Sequence, residues 1–135
     1  MNDNVFLDTN ILVYSYSFTE KDKQKIARKL IAESNSYIST QVIQELLNTL
    51  TKKFGINWDN AKNAARESLQ NNSLFVNNEK TIIKACEIAQ KYRYSFYDSL
   101  IISAAISCNC VMLCSEDLQH GQIIEGKLKI INPFF

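Results

Sequence analysis

Five short apolar runs are spread along this chain, and helical patterns fill most of the space between them. The runs are Val5-Phe6-Leu7, Tyr37-Ile38, Leu74-Phe75-Val76, Cys110 to Cys114 and Leu128 to Ile131. Lys129 apart, they are continuously apolar and do not alternate with polar residues. Continuous runs of this kind are strands buried on both faces, as in parallel sheets covered by helices. The order reads strand, helices, strand, two helices, strand, two helices, strand, turn, strand. The expected fold class is therefore α/β, a three-layer α/β/α sandwich around a mostly parallel five-stranded sheet.

The helices between the runs are legible from their stripes. Asn10 can cap a short helix through Tyr16, and residues 20–34 carry Ile26, Ala27, Leu30 and Ile31 among lysines and Arg28. Ser39 or Thr40 can cap a long helix with Val42, Ile43, Leu46, Leu47, Leu50 and Phe54 on one face, stopped by Gly55. Residues 58–70 place Trp58, Ala61, Ala65 and Leu69 together, and residues 79–93 place Ile82, Cys86 and Ala89 together. Residues 96–107 are apolar all round, which predicts a helix buried on more than one side. With 135 residues, 3 Gly and 1 Pro, the chain reads as a single domain over 1–135 with long helices and few turns.

Charge and cysteines exclude more than they assign. Net charge is +1, from 15 basic and 14 acidic side chains, so bulk charge does not argue for nucleic-acid binding. Met1-Asn2-Asp3-Asn4 is acidic and polar, unlike the basic start of a signal peptide. No apolar stretch approaches the ~18 residues that a membrane helix needs. A cytoplasmic protein with reduced Cys86, Cys108, Cys110 and Cys114 is expected. Cys108-x-Cys110 lacks the second ligand pair of a zinc site, so these read as small core residues.

The acids are more telling. Asp8 ends the first strand, Asp117 lies three residues past Cys114, Glu45 is about a turn inside the helix after the second strand, and Asp98 is in the first turn of the buried helix. In a parallel sheet all four fall at the carboxyl edge, where open α/β sheets bind ligands. Each also has a plainer reading. Asp8 could cap the next helix; Ser95-Phe96-Tyr97-Asp98 has capping-box spacing; Asp117 could serve a turn beside Glu116. Glu45 points roughly 140° away from its helix's apolar stripe and could face solvent. Two carboxylates ~5 Å apart repel by about 3 kcal/mol at an effective dielectric of 20. A hard cation, Mg²⁺ or Mn²⁺, is the economical compensation. Such a centre suits phosphodiester hydrolysis, because the metal orients the phosphate, activates water and stabilises the leaving oxygen.

Leu7-Asp8-Thr9-Asn10, Ile38-Ser39-Thr40 leading to Glu45-Leu46, Tyr97-Asp98-Ser99-Leu100-Ile101 and Ser115-Glu116-Asp117-Leu118 resemble the PIN-domain nucleases, and among them the VapC-type toxins of type II toxin–antitoxin modules. The resemblance runs from Val5 to Pro133 in order. It implies an Mg²⁺-dependent endoribonuclease acting on single-stranded or loop RNA. It implies Asp8, Glu45, Asp98 and Asp117 as the catalytic, metal-holding quartet, and Thr9, Asn10 and Ser115 as polar residues lining the same site. It also implies a small antitoxin partner and a homodimer.

The alternatives differ in kind. A haloacid-dehalogenase-like phosphatase would want a second acid where Asn10 stands; a receiver domain would want paired acids beside Asp8; a degenerate PIN domain would only bind RNA or a partner. His120, near Ser115 and Asp117, suggests a Ser-His-Asp hydrolase only faintly, since no G-x-S-x-G elbow is present. Glu116 competes with Asp117 for the fourth acidic position.

Overall fold

The computed structural model describes residues 3–135; Met1 and Asn2 of the polar start lie outside the described residues. The strands are β1 (Asn4–Leu7), β2 (Asn35–Ser39), β3 (Ser73–Phe75), β4 (Met112–Cys114), β5 (Ile123–Ile124) and β6 (Leu128–Ile131). The helices are α1 (Thr9–Ser15), α2 (Lys21–Glu33), α3 (Thr40–Lys52), α4 (Trp58–Asn71), α5 (Glu79–Tyr92) and α6 (Phe96–Ser107). The sheet order is β3-β2-β1-β4-β6-β5. Every pairing is parallel except β5 with β6. The α/β class and the mostly parallel sheet are as expected, but the described residues form six strands, not five. The extra strand, β5, is the pair Ile123-Ile124 between Gly121 and Gly126, where the sequence shows a turn.

Topology places the site. From β1 the chain steps outward to β2 and β3, then returns past β1 to β4. Right-handed crossovers therefore put α1 to α4 on one face and α5 and α6 on the other. The direction of winding reverses between β1 and β4, which pair with Leu7 opposite Cys114. Ligands bind beyond the strand ends at such a reversal.

The core holds Phe6, Leu7, Ile38, Leu113 and Ile130 from the sheet, with Ile11, Leu46, Ile88 and Ile102 from the helices. α6 is buried from Ser99 through Ala105, which fits its all-round apolarity. Ile26 of the α2 stripe is exposed, as is Phe54, which lies past the end of α3, and two helix faces differ further from expectation. α5 buries Thr81, Ala85 and Ile88, not Ile82, Cys86 and Ala89. It carries two stripes of similar apolarity, and its contact with α6 selects the one where Ser103 can donate to the Thr81 carbonyl at 2.8 Å. α4 buries Ala61, Ala65 and Ser68 and leaves Trp58 and Leu69 exposed, because small side chains let it pack closely. Cys110 and Cys114 are core residues as expected, whereas Cys86 is exposed.

Candidate active site

Asp8 is the hinge of the site. Its backbone N–H continues the sheet by donating to the Cys114 carbonyl at 3.0 Å, and its side chain then caps α1. Oδ1 accepts from the Thr9 N–H at 2.7 Å and Oδ2 accepts from the Ser115 hydroxyl at 2.7 Å. Asp8 thus caps α1 as one of its sequence readings expects, and Asn10 lies inside the helix. Only 7% of Asp8 is exposed. Burial pushes its carboxyl up to about 6; the bonds from Ser115 and Thr9 oppose this, while the charges of Glu45 and Asp117 add to it.

Ser115 joins the two strand ends. While donating to Asp8, its hydroxyl oxygen accepts from the N–H groups of Asp117 at 3.2 Å and Leu118 at 3.4 Å. One side chain thus fixes the turn that carries Asp117. Asn10 holds the turn from the other side, donating to Asp117 Oδ2 at 3.2 Å and accepting from the Glu116 N–H at 3.2 Å. Thr9 donates to Glu45 Oε1 at 2.5 Å. The three polar neighbours expected around the quartet each bond to one of its members.

Glu45 lies half-buried against this cluster instead of in solvent. Its helix has two covered faces: Val42, Leu46 and Leu50 pack inward, and Gln41 and Glu45 meet α1 and α6. Gln41 escaped sequence reasoning. It is buried, and its amide donates to Glu45 Oε2 at 3.2 Å and to the Tyr97 carbonyl at 3.1 Å. Its position one turn before Glu45 was the available signal. Asp98 sits in the first turn of α6, where its N–H donates to the Ser95 hydroxyl at 3.2 Å; the capping spacing is real, and the Asp98 side chain still lines the cleft.

All four acids line one open cleft of about 870 Å³. Glu116 reaches its rim but is otherwise engaged. It pairs with Lys23 at 2.6 Å and accepts from the Tyr14 hydroxyl at 2.6 Å. Burial pushes its carboxyl up, but these two partners outweigh that and hold it below its ordinary value. Among the described residues, no ion pair reaches Asp8, Glu45, Asp98 or Asp117. His120 takes no part in the cleft: its Nδ1 accepts from the Asn132 N–H at 2.9 Å and its ring stacks on Phe135. Since Ser115 bonds to Asp8, no Ser-His-Asp relay forms.

The donor set is all oxygen and unpaired with cations, which suits a hard divalent ion. Among the described residues, no three His, Cys, Asp or Glu side chains gather as a ready-made ligand group. An ion there would meet some of these carboxylates directly and the others through its water shell, the usual manner of Mg²⁺. Gln41 Oε1, buried beside Glu45 without a partner in the protein, is a polar atom that such water would satisfy.

Comparison with known proteins agrees with this architecture. The PIN domain family profile matches residues 5–124. Among solved structures, the chain is similar to VapBC2 from Rickettsia felis bound to a DNA fragment from its promoter, with TM-score 0.70 and 20% identity over 94% of this chain and 96% of that one. It is similar to a toxin–antitoxin complex from Klebsiella pneumoniae, with TM-score 0.69 and 19% identity over 96% and 97%. It is also similar to VapC20 of Mycobacterium tuberculosis, a toxin that cleaves the sarcin-ricin loop, with TM-score 0.67 and 18% identity over 81% and 86%. A search of curated proteins finds no match.

Proposed function

The chain belongs to the PIN domain family, and on that footing we propose that it is a metal-dependent endoribonuclease, the toxin of a toxin–antitoxin pair. The observation that carries this reading is the meeting of Asp8, Glu45, Asp98 and Asp117, from four separate segments, in one cleft with no ion pair to any of them among the described residues. Family membership removes the support for a haloacid-dehalogenase-like phosphatase. The complete quartet counts against a degenerate domain that only binds.

Asp8, Glu45, Asp98 and Asp117 would hold Mg²⁺ or Mn²⁺, which when bound supplies Lewis-acid stabilisation of a phosphodiester and its leaving oxygen. The protein's own groups prepare the site. Ser115 and Thr9 fix the Asp8 carboxylate, Asn10 fixes Asp117, and Thr9 with Gln41 fixes Glu45. Positions locked in this way need little reorganisation when the phosphate arrives.

The antitoxin reading has a surface to use. An apolar groove of about 530 Å³, lined by Val13, Tyr16, Phe18, Leu50, Phe54 and Ile56, adjoins the cleft, and Val13 and Phe54 line both. An amphipathic helix in the groove would bring an arginine to the acids, where a guanidinium pairs with carboxylates and blocks phosphate entry. A homodimer would cover exposed apolar residues such as Leu74, Val76 and Ile83.

The test is cleavage of RNA by the purified wild-type chain with Mg²⁺ or with EDTA, beside Asp8→Asn. Cleavage only by the wild type with metal is expected. Cleavage that persists in EDTA, or in Asp8→Asn, would contradict the assignment. Expression of the wild type should also arrest growth, while Asp8→Asn is harmless and co-expression of the antitoxin restores growth.

A further inference from the structure

The cleft poses an electrostatic problem for a polyanionic substrate. Six carboxylates line it; with Glu116 paired to Lys23, those of Asp8, Glu20, Glu45, Asp98 and Asp117 stand against the single ammonium of Lys53. Nucleic-acid binding ordinarily draws its affinity from cations that neutralise phosphates. This cleft lacks them, and a bound metal ion offsets only part of the deficit. A part of the RNA without charge can supply attraction that this cleft does not oppose, and the bases are that part.

We propose that Tyr97 is a base-stacking subsite, on which the base of a nucleotide beside the scissile phosphate unstacks from its neighbours and lies. The inference rests on the ribonuclease reading above and adds what part of the RNA the site grips. Tyr97 lines the cleft next to Asp98 and is 65% exposed. Phe96 braces its ring edge-on, with centroids 5.3 Å apart and planes at 75°. The Tyr97 carbonyl accepts from Gln41, whose amide also bonds Glu45, so the ring's backbone and a quartet acid share one anchor. The hydroxyls of Tyr14, Tyr16, Tyr92 and Tyr94 are committed to protein partners, whereas those of Tyr37, in β2 and outside the cleft lining, and Tyr97 make no hydrogen bond among the described residues. Tyr97 does not line the apolar groove, which favours a nucleobase over a partner helix as its occupant.

Stacking on an aromatic side chain works for any base and needs a strand whose bases are free. The substrate class is then RNA with an unpaired nucleotide at the cut, as in a loop.

The experiment measures binding by fluorescence anisotropy in an Asp8→Asn background, which leaves the RNA intact. The probes are a fluorescein-labelled 12-nucleotide single-stranded RNA of mixed sequence and the matching abasic strand. Adding Tyr97→Ala should weaken binding of the base-bearing RNA about 5- to 150-fold, the range for loss of one stacked base, and leave the abasic strand unchanged. Tyr97→Phe and Tyr97→Trp should keep the parent affinity. Trp58→Ala removes an equally exposed ring outside the cleft and should change nothing. Equal melting temperatures would show that the variants fold. The proposal is overturned by unchanged affinity in Tyr97→Ala, which would make the residue a protein contact, by equal loss on both strands, or by a parent that does not bind the base-bearing RNA. Cleavage by the wild type with a silent Tyr97→Ala sinks this inference alone. Tyr97-dependent binding without cleavage sinks the nuclease reading alone.

Discussion

Two carboxylate neighbourhoods lie side by side in this protein and are built in opposite ways. Around Glu116, Lys23 and Tyr14 supply a cation and a hydroxyl, and Phe134 packs edge-on against the Tyr14 ring, 5.0 Å between centroids. Around Asp8, two neutral donors hold a buried carboxylate while Glu45 and Asp117 press more negative charge upon it. The first neighbourhood is complete as it stands. The second, among the described residues, has no ion pair to offset its charge. Adjacent residues, Glu116 and Asp117, fall on opposite sides of this divide, so an acid's surroundings identify its role better than its place in sequence does.

The largest effect should separate the two groups by activity. Asp98→Asn and Asp117→Asn are expected to lower kcat for RNA cleavage on the order of 10²–10³-fold, the scale for losing one group that stabilises transition-state charge. Glu45→Gln should fall in the same range, since Thr9 and Gln41 hold its carboxylate in the cleft. Single-turnover kinetics on a fixed RNA would measure this. Near-normal rates in all three would break the comparison.

A smaller effect concerns stability without metal. The folded pKa of Asp8, about 6, stands above the ordinary 3.8. The folded state therefore binds this proton more tightly, so the associated stability is full below about pH 4 and is lost as pH rises through about 6. Two pH units correspond to about 3 kcal/mol. Asn at this position loses one accepted hydrogen bond, which offsets about 1 kcal/mol of that. In EDTA at pH 7.5, Asp8→Asn should melt several degrees above the wild type, and the gap should close toward pH 4. A gap independent of pH would show that Asp8 is not held against its charge.

The smallest effect belongs to the paired acid. Glu116→Gln keeps a hydrogen-bonding group for Lys23 and Tyr14 while removing the charge. Its cleavage rate should stay within a few-fold of the wild type, with a modest loss in melting temperature. A collapse in activity as deep as that of Asp117→Asn would place Glu116 in the quartet after all.

Much of this was legible in the sequence because five of the six strands carry a short apolar run, buried along most of its length in β1 and β4 but largely exposed in the edge strand β3. β5 carries only the pair Ile123-Ile124, set between the turns at Gly121 and Gly126, and reads as part of that turn. The edge on which the four acids meet followed from strand order alone. What the sequence could not express was partnership. Nothing near Glu116 in sequence announces Lys23, 93 positions away, and nothing around Glu45 shows that Gln41 bridges it to Tyr97. Helix faces failed where apolarity was ambiguous: on α5 the choice between stripes was made by a serine–carbonyl bond to α6, and on α4 close packing favoured Ala61 and Ala65 over Trp58.

The central claim, that the uncompensated acids form a cation centre and the paired one does not, is tested most directly by titrating Mn²⁺ into the RNA-free protein in a calorimeter. The wild type and Glu116→Gln should bind with matching affinity, and binding to Asp8→Asn should be at least tenfold weaker. At pH 6 the wild type should also release protons on binding, because the Asp8 carboxyl is then partly protonated. Equal Mn²⁺ binding by all three chains would contradict the account.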